Sequence, residues 1–531
     1  MATAGPALQA VSGLLFAGVR RSSGGLLLQT ARSCGLALGR SFATDAADSG
    51  KLHVCVVGAG PAGFYTIDKL LKRYGDKVHV TLVDRLPTPF GLVRSGVAPD
   101  HQDTKNVTNQ FSGLAADPRV TFLGHVRVGA GPGADVSLGE LRERHHAVVL
   151  SYGAESDRRL GIPGEDGPGV LSARELVWWY NGHPDMRDLP IDLTQVRSVA
   201  ICGIGNVALD CARALLAPAA RFGPTDLAAH ALQQLQASGG GREVHLVARR
   251  GPVQAACTPK ELKELLTECG VAARVAAPEQ LSVSAADAAE MKATRIKRRV
   301  HELVSKGVAD SKGVPSGGEA RELYFQFYRS PVEVLRGGPG GSVSGLKVEV
   351  TEVRPEGPGG APVAVGSGRF ETLPCQLVLK SIGYRGLPME GVPFDAKKGV
   401  VPNEAGRVLQ AVPAAGAAPP APEPGLYVVG WLKRGPTGII GTNLVDAEDT
   451  AASVIADTDA LLTAGRGRAW PQGPAGAPGL AALLGGRGAA AVGWGGWRRL
   501  DEAEVAAGKA GGRAREKVTR VPEMLRIAGV A

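Results

Sequence analysis

Two glycine-rich turns stand where phosphate chemistry would be done. Gly58-Ala59-Gly60-Pro61-Ala62-Gly63 closes the apolar run Val54–Val57, and Gly203-Ile204-Gly205-Asn206-Val207-Ala208 closes Ser198–Cys202. In a strand–turn–helix unit the first glycine permits the tight turn. The second lets the backbone approach a pyrophosphate, and the third lets the helix pack on the strand. The helix N-terminus then presents free N–H groups and a positive dipole to the phosphates. The residue ending the next apolar run reads the adenosine ribose. Asp84 follows His79–Val83, whereas Arg249 and Arg250 follow Val244–Val247. An acid there accepts free ribose hydroxyls; arginines there favour a 2′-phosphate. Each arginine–phosphate contact is worth roughly 1.5–3 kcal/mol. The spacing therefore predicts two different dinucleotides on one chain, the second of them NADP, and electron traffic between them.

The elements that must position these residues follow from the apolar pattern. Leu52 to Val83 reads strand–turn–helix–strand, with the helix over Ala62–Tyr74 and Tyr65, Ile67, Leu70 and Leu71 along it. A buried strand at Ala147–Leu150 stops at Gly153, and Leu377–Ile382 followed by Gly383-Tyr384 mirrors it. That symmetry predicts an α/β chain of two Rossmann-like dinucleotide-binding domains, one inserted into the other. The first domain would take 43–153 and 385–531, and the second 154–384. Further strands of the second are expected at Val271–Val275, Leu323–Phe327 and Leu346–Val350. Gly425–Trp431 reads as a strand and turn, and Gly435–Gly441 leads into a helix over Asn443–Ile455. The Gly/Pro/Ala-rich stretches 337–341, 356–368, 414–425 and 465–496 read as surface loops.

A chain of 531 residues has ample core for two or three domains, and 44% hydrophobic with 21% charged residues fits a soluble globular protein. No run of 18 apolar residues suggests a spanning helix. The seven cysteines (34, 55, 202, 211, 257, 269 and 375) form no Cys-x-x-Cys pair and no zinc spacing, so free thiols and no metal are expected. Residues 1–42 hold Arg20, Arg21, Arg32 and Arg40 among Ser, Leu and Ala, with no acid before Asp45. Arginines that follow the apolar stretch rather than precede it mark a mitochondrial transit peptide, with cleavage near Phe42. Four of the residues behind the formal charge of +9 thus belong to the leader. Five bases lie between Lys292 and Arg299, and on one helix Lys292, Arg295 and Arg299 would share a face. Read alone, such a run is a solvated face. No aromatic residues interleave with it, which argues against nucleic acid. Trp178-Trp179-Tyr180 reads as packing or a domain contact.

Taken with these turns, several blocks make the chain resemble the mitochondrial adrenodoxin reductase family. They are Val57–Tyr65, Pro89–His101, Leu150–Ala154, Gly205–Asp210, Arg249–Pro252, Ser381–Tyr384 and Gly430–Gly438, in the family's order from about residue 51 to the C-terminus. The resemblance implies a flavoprotein oxidoreductase that moves electrons from NADPH through FAD to a [2Fe–2S] ferredoxin, feeding mitochondrial P450 (steroid hydroxylation) and iron–sulfur cluster pathways. It implies FAD contacts at Gly58, Gly60, Ala62, Gly63, Asp84, Leu92, Val128, Trp431, Gly438, Ile439 and Ile440. It implies NADP contacts at Ile204, Gly205, Asn206, Val207, Arg249, Arg250, Glu261 and Gly438. Two residues depart from the family, which usually has Glu at Asp84 and Gln at Ile204. Asp84 still accepts ribose hydroxyls with shorter reach, while Ile204 offers only its backbone. The family also pairs a histidine and an aspartate near the flavin, matching His101 and Asp210, as a scaffold or as a proton path. Its arginines dock an acidic ferredoxin, which turns the reading of Lys292, Arg295 and Arg299 towards a docking face. A place in the mitochondrial matrix, peripheral on the inner membrane in one arrangement, completes what the resemblance implies.

Overall fold

The computed structural model describes residues 50–239, 242–317, 319–337, 339–355, 362–464 and 474–530. The leader, its cleavage point and Cys34 lie outside them. The first sheet has seven strands in the order Asn403–Glu404, Arg407–Leu409, Pro422–Val428, Ala147–Leu150, Leu52–Val57, Val78–Val83, Val120–Leu123. The last five run parallel. Leu52–Val57 and Val78–Val83 are buried at every position, as strands covered on both faces must be. The second sheet has six parallel strands in the order Val170–Ser172, Leu377–Lys380, Ser198–Cys202, Glu243–Ala248, Glu322–Phe327, Ala272–Val275. The chain thus builds part of one sheet, all of the next, and returns to finish the first. A short antiparallel ladder, Ser156–Asp157 with Tyr384–Arg385, joins the outgoing and returning segments.

Each sheet packs its own apolar core. Phe64, Phe111 and Phe122 anchor one, and Phe222, Phe325 and Phe327 the other. Leu346–Val350 does not extend the parallel sheet, contrary to its apolar reading. It lies in Val343–Pro355, the middle strand of a separate antiparallel layer with Arg329–Arg336 and Pro362–Pro374. Alternation of Leu346, Val348 and Val350 with Lys347 and Glu349 fits a sheet buried on one face only. Three stretches read as loops contain regular structure. Pro362–Pro374 and Pro422–Val428 are strands, and Gly476–Gly486 is a helix that buries Leu480 and Leu484. Glycine-rich composition hid the spacing of those few leucines.

Candidate functional site

The first glycine turn separates glycines that the backbone requires from one that opens on free space. Gly58 has φ +111°, and a Cβ there would stand 2.6 Å from the Ser151 backbone. A Cβ on Gly63 would stand 2.5 Å from the Gly58 carbonyl, so helix and strand touch there. Gly60 differs. Its φ is an ordinary −89°, and a Cβ would meet nothing within 4 Å. It opens on a cavity of about 410 Å³ walled in part by Gly58, Gly60, Ala62, Asp84, Leu92, Val128 and Trp431. The helix Pro61–Tyr74 begins at this wall, aiming its N-terminus at the space.

Asp84 stands in the cavity wall just past the end of the strand Val78–Val83. The Ala59 N–H donates to its Oδ2 at 2.8 Å and the Leu86 N–H to its Oδ1 at 2.9 Å. Burial pushes its carboxyl up to about 6, with these two amides acting against the rise. Gly438, Ile439 and Ile440 are not cavity walls. They form the loop before the helix Thr442–Ala464, whose Asn443 is a wall residue. The sequence reading passed over another part of the wall, namely Arg85, Glu155, Trp178 and His183. Trp178 and His183 stack with centroids 3.8 Å apart and planes 9° apart. Both come from the segment between the two halves of the first sheet. Neither spacing nor a glycine signal marks them; only the aromatic run hinted at one.

The second turn repeats the first. Gly203 has φ +122°, with a Cβ position 2.3 Å from the Ser381 carbonyl, while Gly205 opens on free space. The Ala256 N–H donates to the Ile204 carbonyl at 2.9 Å, and the Thr258 N–H to Asn206 Oδ1 at 2.8 Å. These bonds clip the 255–258 loop over the turn. Val207 packs into the core below. Arg249 is exposed and Arg250 half-buried, and neither side chain has a partner among the described residues. The backbone beneath is fixed, since Thr351 Oγ1 donates to the Arg249 carbonyl at 2.8 Å. Two held but unpaired guanidinium groups at a strand end fit a 2′-phosphate.

Between the two sheets lies a charged junction. Arg213, fully buried, donates to Asp100 Oδ2 at 2.7 Å and to Asp210 Oδ1 at 2.8 Å. Glu261 is drawn into this junction, 3.4 Å from Arg213 and 3.5 Å from His101. His101 does not hydrogen-bond Asp210. Its Nε2 is 2.9 Å from Glu264, though ligand atoms of His101, Asp210 and Glu261 all lie within 4.8 Å of one another. Burial pushes the Asp210 carboxyl up to about 6, and Arg213 opposes that. Neither His101 nor Asp210 belongs to the cavity wall.

The basic run does not form one helical face. The chain breaks at Thr294 (φ −134°, ψ 105°), leaving Lys292 in the last turn of Ala285–Ala293, while Arg295 and Arg299 lie one turn apart in Arg295–Asp310. All three are exposed. Arg299 pairs with Glu302 at 3.4 Å; Lys292 and Arg295 have no partner among the described residues.

Two open glycine turns, one backed by an acid and one by free arginines, define an oxidoreductase that holds a flavin dinucleotide and NADP together. The comparisons agree. The family profile of pyridine nucleotide-disulphide oxidoreductases matches residues 52–308. The chain is 48% identical to the mitochondrial NADPH:adrenodoxin oxidoreductase of Arabidopsis thaliana, over 91% of this chain and 97% of that protein. It is 43% identical to the one of Homo sapiens, over 90% and 92%. A solved structure of Mycobacterium tuberculosis FprA in complex with NADPH superposes with a TM-score of 0.79 at 38% identity, covering 90% of this chain and 99% of that one. The chain belongs to the NADPH:adrenodoxin oxidoreductase family. The six described cysteines are free and buried, and none of them walls the cavity.

Proposed function

We propose that this chain oxidises NADPH and passes the electrons singly to a [2Fe–2S] ferredoxin in mitochondria. The observation that carries this reading is the contrast between Asp84 at one cradle and the unpaired Arg249 and Arg250 at the other. FAD, when bound, supplies the conversion between a two-electron hydride donor and a one-electron acceptor. The protein's own work is binding and placement. Gly60 leaves room for a pyrophosphate, Asp84 accepts from the ribose, and Trp431 closes the wall, its ring 5.3 Å from that of Tyr384. Arg249 and Arg250 select the 2′-phosphate, while Ile204, Gly205, Asn206 and Val207 shape the turn beneath it. Gly438, Ile439 and Ile440 contribute from the loop that precedes the wall residue Asn443. His101, Glu264 and Asp210 join the two cradles, and burial favours the protonated form of Asp210, close to the His101 ring.

Domain limits at 153 and 384 fit the ladder Ser156–Asp157 with Tyr384–Arg385. Lys292, Arg295 and Arg299 form the docking face for an acidic ferredoxin, now as a patch drawn from two helices. The named relatives support mitochondria as the compartment; a matrix location, with peripheral contact to the inner membrane, follows from the electron acceptors this reading assigns. No described helix is long and apolar enough to cross a membrane. Anaerobic mixing of the flavin-loaded protein with NADPH and a [2Fe–2S] ferredoxin tests the reading. Bleaching of the ferredoxin's visible bands at catalytic protein supports it; flavin reduction with an unchanged ferredoxin spectrum refutes it.

A further inference from the structure

His183 lies outside both glycine turns, yet its ring forms part of the cavity wall. Several contacts fix that ring. It stacks on Trp178, and Arg174 sits 4.3 Å over the same indole. Arg174 pairs in turn with Asp157 at 2.8 Å. The Asp185 N–H donates to His183 Nδ1 at 3.1 Å. Arg85, the residue after Asp84, pairs with Asp185 at 2.9 Å and with Glu155 at 2.8 Å. The 183–185 turn is thereby tied to the strand end that carries the ribose-reading acid.

An imidazole whose Nδ1 accepts an N–H keeps the proton of its neutral form on Nε2. Burial favours the neutral ring, pulling it down to about 3 against the opposing charge of Asp185. Nε2 has no partner among the described residues, yet it is not one of the buried unpartnered nitrogens. The residue is only 3% exposed and lines the cavity, and Nε2 is an atom of it that keeps accessible surface. We propose that His183 Nε2–H donates a hydrogen bond to an acceptor oxygen of the bound flavin dinucleotide. His183 is then a binding residue supplied by the inserted segment, and flavin and NADP sites share one structural unit. The inference rests on the flavin reading of the cavity.

The test uses two variants of the full chain. His183→Phe keeps a stacking ring without a donor, and His183→Gln keeps a donor without the ring. Flavin retention is read from the recovery of free-flavin fluorescence on dilution, and the environment of the ring system from the visible absorption band. Retention of each variant on immobilised 2′,5′-ADP reports folding through the other cradle. The expected result is FAD held roughly threefold to tenfold more weakly by His183→Phe, and within about threefold of wild type by His183→Gln. A donor reaching a flavin carbonyl also shifts the visible band, whereas one reaching the ribityl chain or a phosphate changes affinity alone. Unchanged affinity and spectrum in His183→Phe overturn the proposal, as does an equal loss in His183→Gln. If His183→Phe does not bind 2′,5′-ADP, His183→Gln decides: FAD held within about threefold of wild type supports the proposal, and a loss of about tenfold or more overturns it. A wild-type chain that binds no flavin fails the functional reading itself, which is a separate outcome.

Discussion

Arg94 and Glu504, 410 residues apart, form a two-pronged ion pair with N···O distances of 2.6 and 2.9 Å, and the Glu504 side chain is fully buried. Arg94 follows the Phe90-Gly91 turn at the cavity, while Glu504 lies on Trp494–Ala510, the last helix but one. Arg515 adds a third bond at 2.8 Å, and the Val518 N–H a fourth at 2.9 Å. Two residues further on, the buried Lys517 meets Asp226 of the second sheet's domain at 2.9 Å, and Lys105 of the first meets the same carboxylate at 2.7 Å. The tail thus fastens the two nucleotide-binding parts to each other through fully partnered buried charges.

Removing one member of such a cluster strands a partner. Glu504→Ala leaves the buried Arg94 without its carboxylate, while Arg515 keeps Asp501 at 2.6 Å, and should cost about 3–5 kcal/mol of unfolding free energy. Denaturant unfolding of wild type and variant checks this. A loss under 1 kcal/mol would mean that water replaces the carboxylate.

The same group sets a pH dependence. Burial alone would raise the Glu504 carboxyl, but Arg94 and Arg515 together hold it below its ordinary 4.5. A lowered folded value means that its stabilisation is complete above that ordinary value and drains away as pH falls below it. Wild type should therefore lose stability between pH 5 and 3 more steeply than Glu504→Gln. Parallel slopes in acid unfolding would contradict this.

Gly60 and Gly58 separate ligand space from backbone need. Gly60→Val puts its side chain into the cavity without backbone strain, so the variant should fold, bind 2′,5′-ADP and purify colourless. Gly58→Ala meets the Ser151 backbone and demands a positive φ, so it should lose stability as well as flavin. A Gly60→Val protein carrying stoichiometric flavin would show that the cavity is not the flavin site.

The basic patch is tested by Arg295→Glu with Arg299→Glu. Ferredoxin-dependent cytochrome c reduction should collapse, and in wild type it should fade with rising salt. NADPH oxidation with ferricyanide, which needs no docking face, should stay near normal. Unchanged ferredoxin turnover at low ionic strength would reduce the patch to a solvated face.

What the sequence made legible was local. Both glycine turns, their strands and the residues ending the next strands obey short-range rules, and the mirrored runs at 147–154 and 377–384 exposed the insertion. What it hid depends on distant partners or on a single torsion. Thr294 breaks a run of good helix formers with no proline or glycine to announce it. Glu261 turns towards Arg213 because a buried cation 48 residues away in sequence needs carboxylates. Trp178 and His183 reach the cavity wall through tertiary packing that no periodicity encodes.

Nucleotide selection offers the most direct measurement. The purified, flavin-loaded chain is titrated anaerobically with NADPH or NADH while the yellow absorption is followed, in wild type and in Arg249→Ala with Arg250→Ala. Wild type should bleach with NADPH far more efficiently than with NADH. The double variant should lose roughly 10²–10⁴-fold in kcat/KM for NADPH while its NADH value stays nearly unchanged. Equal losses for both nucleotides, or a flavin that NADPH does not bleach, would contradict a chain built to carry electrons from NADPH to flavin.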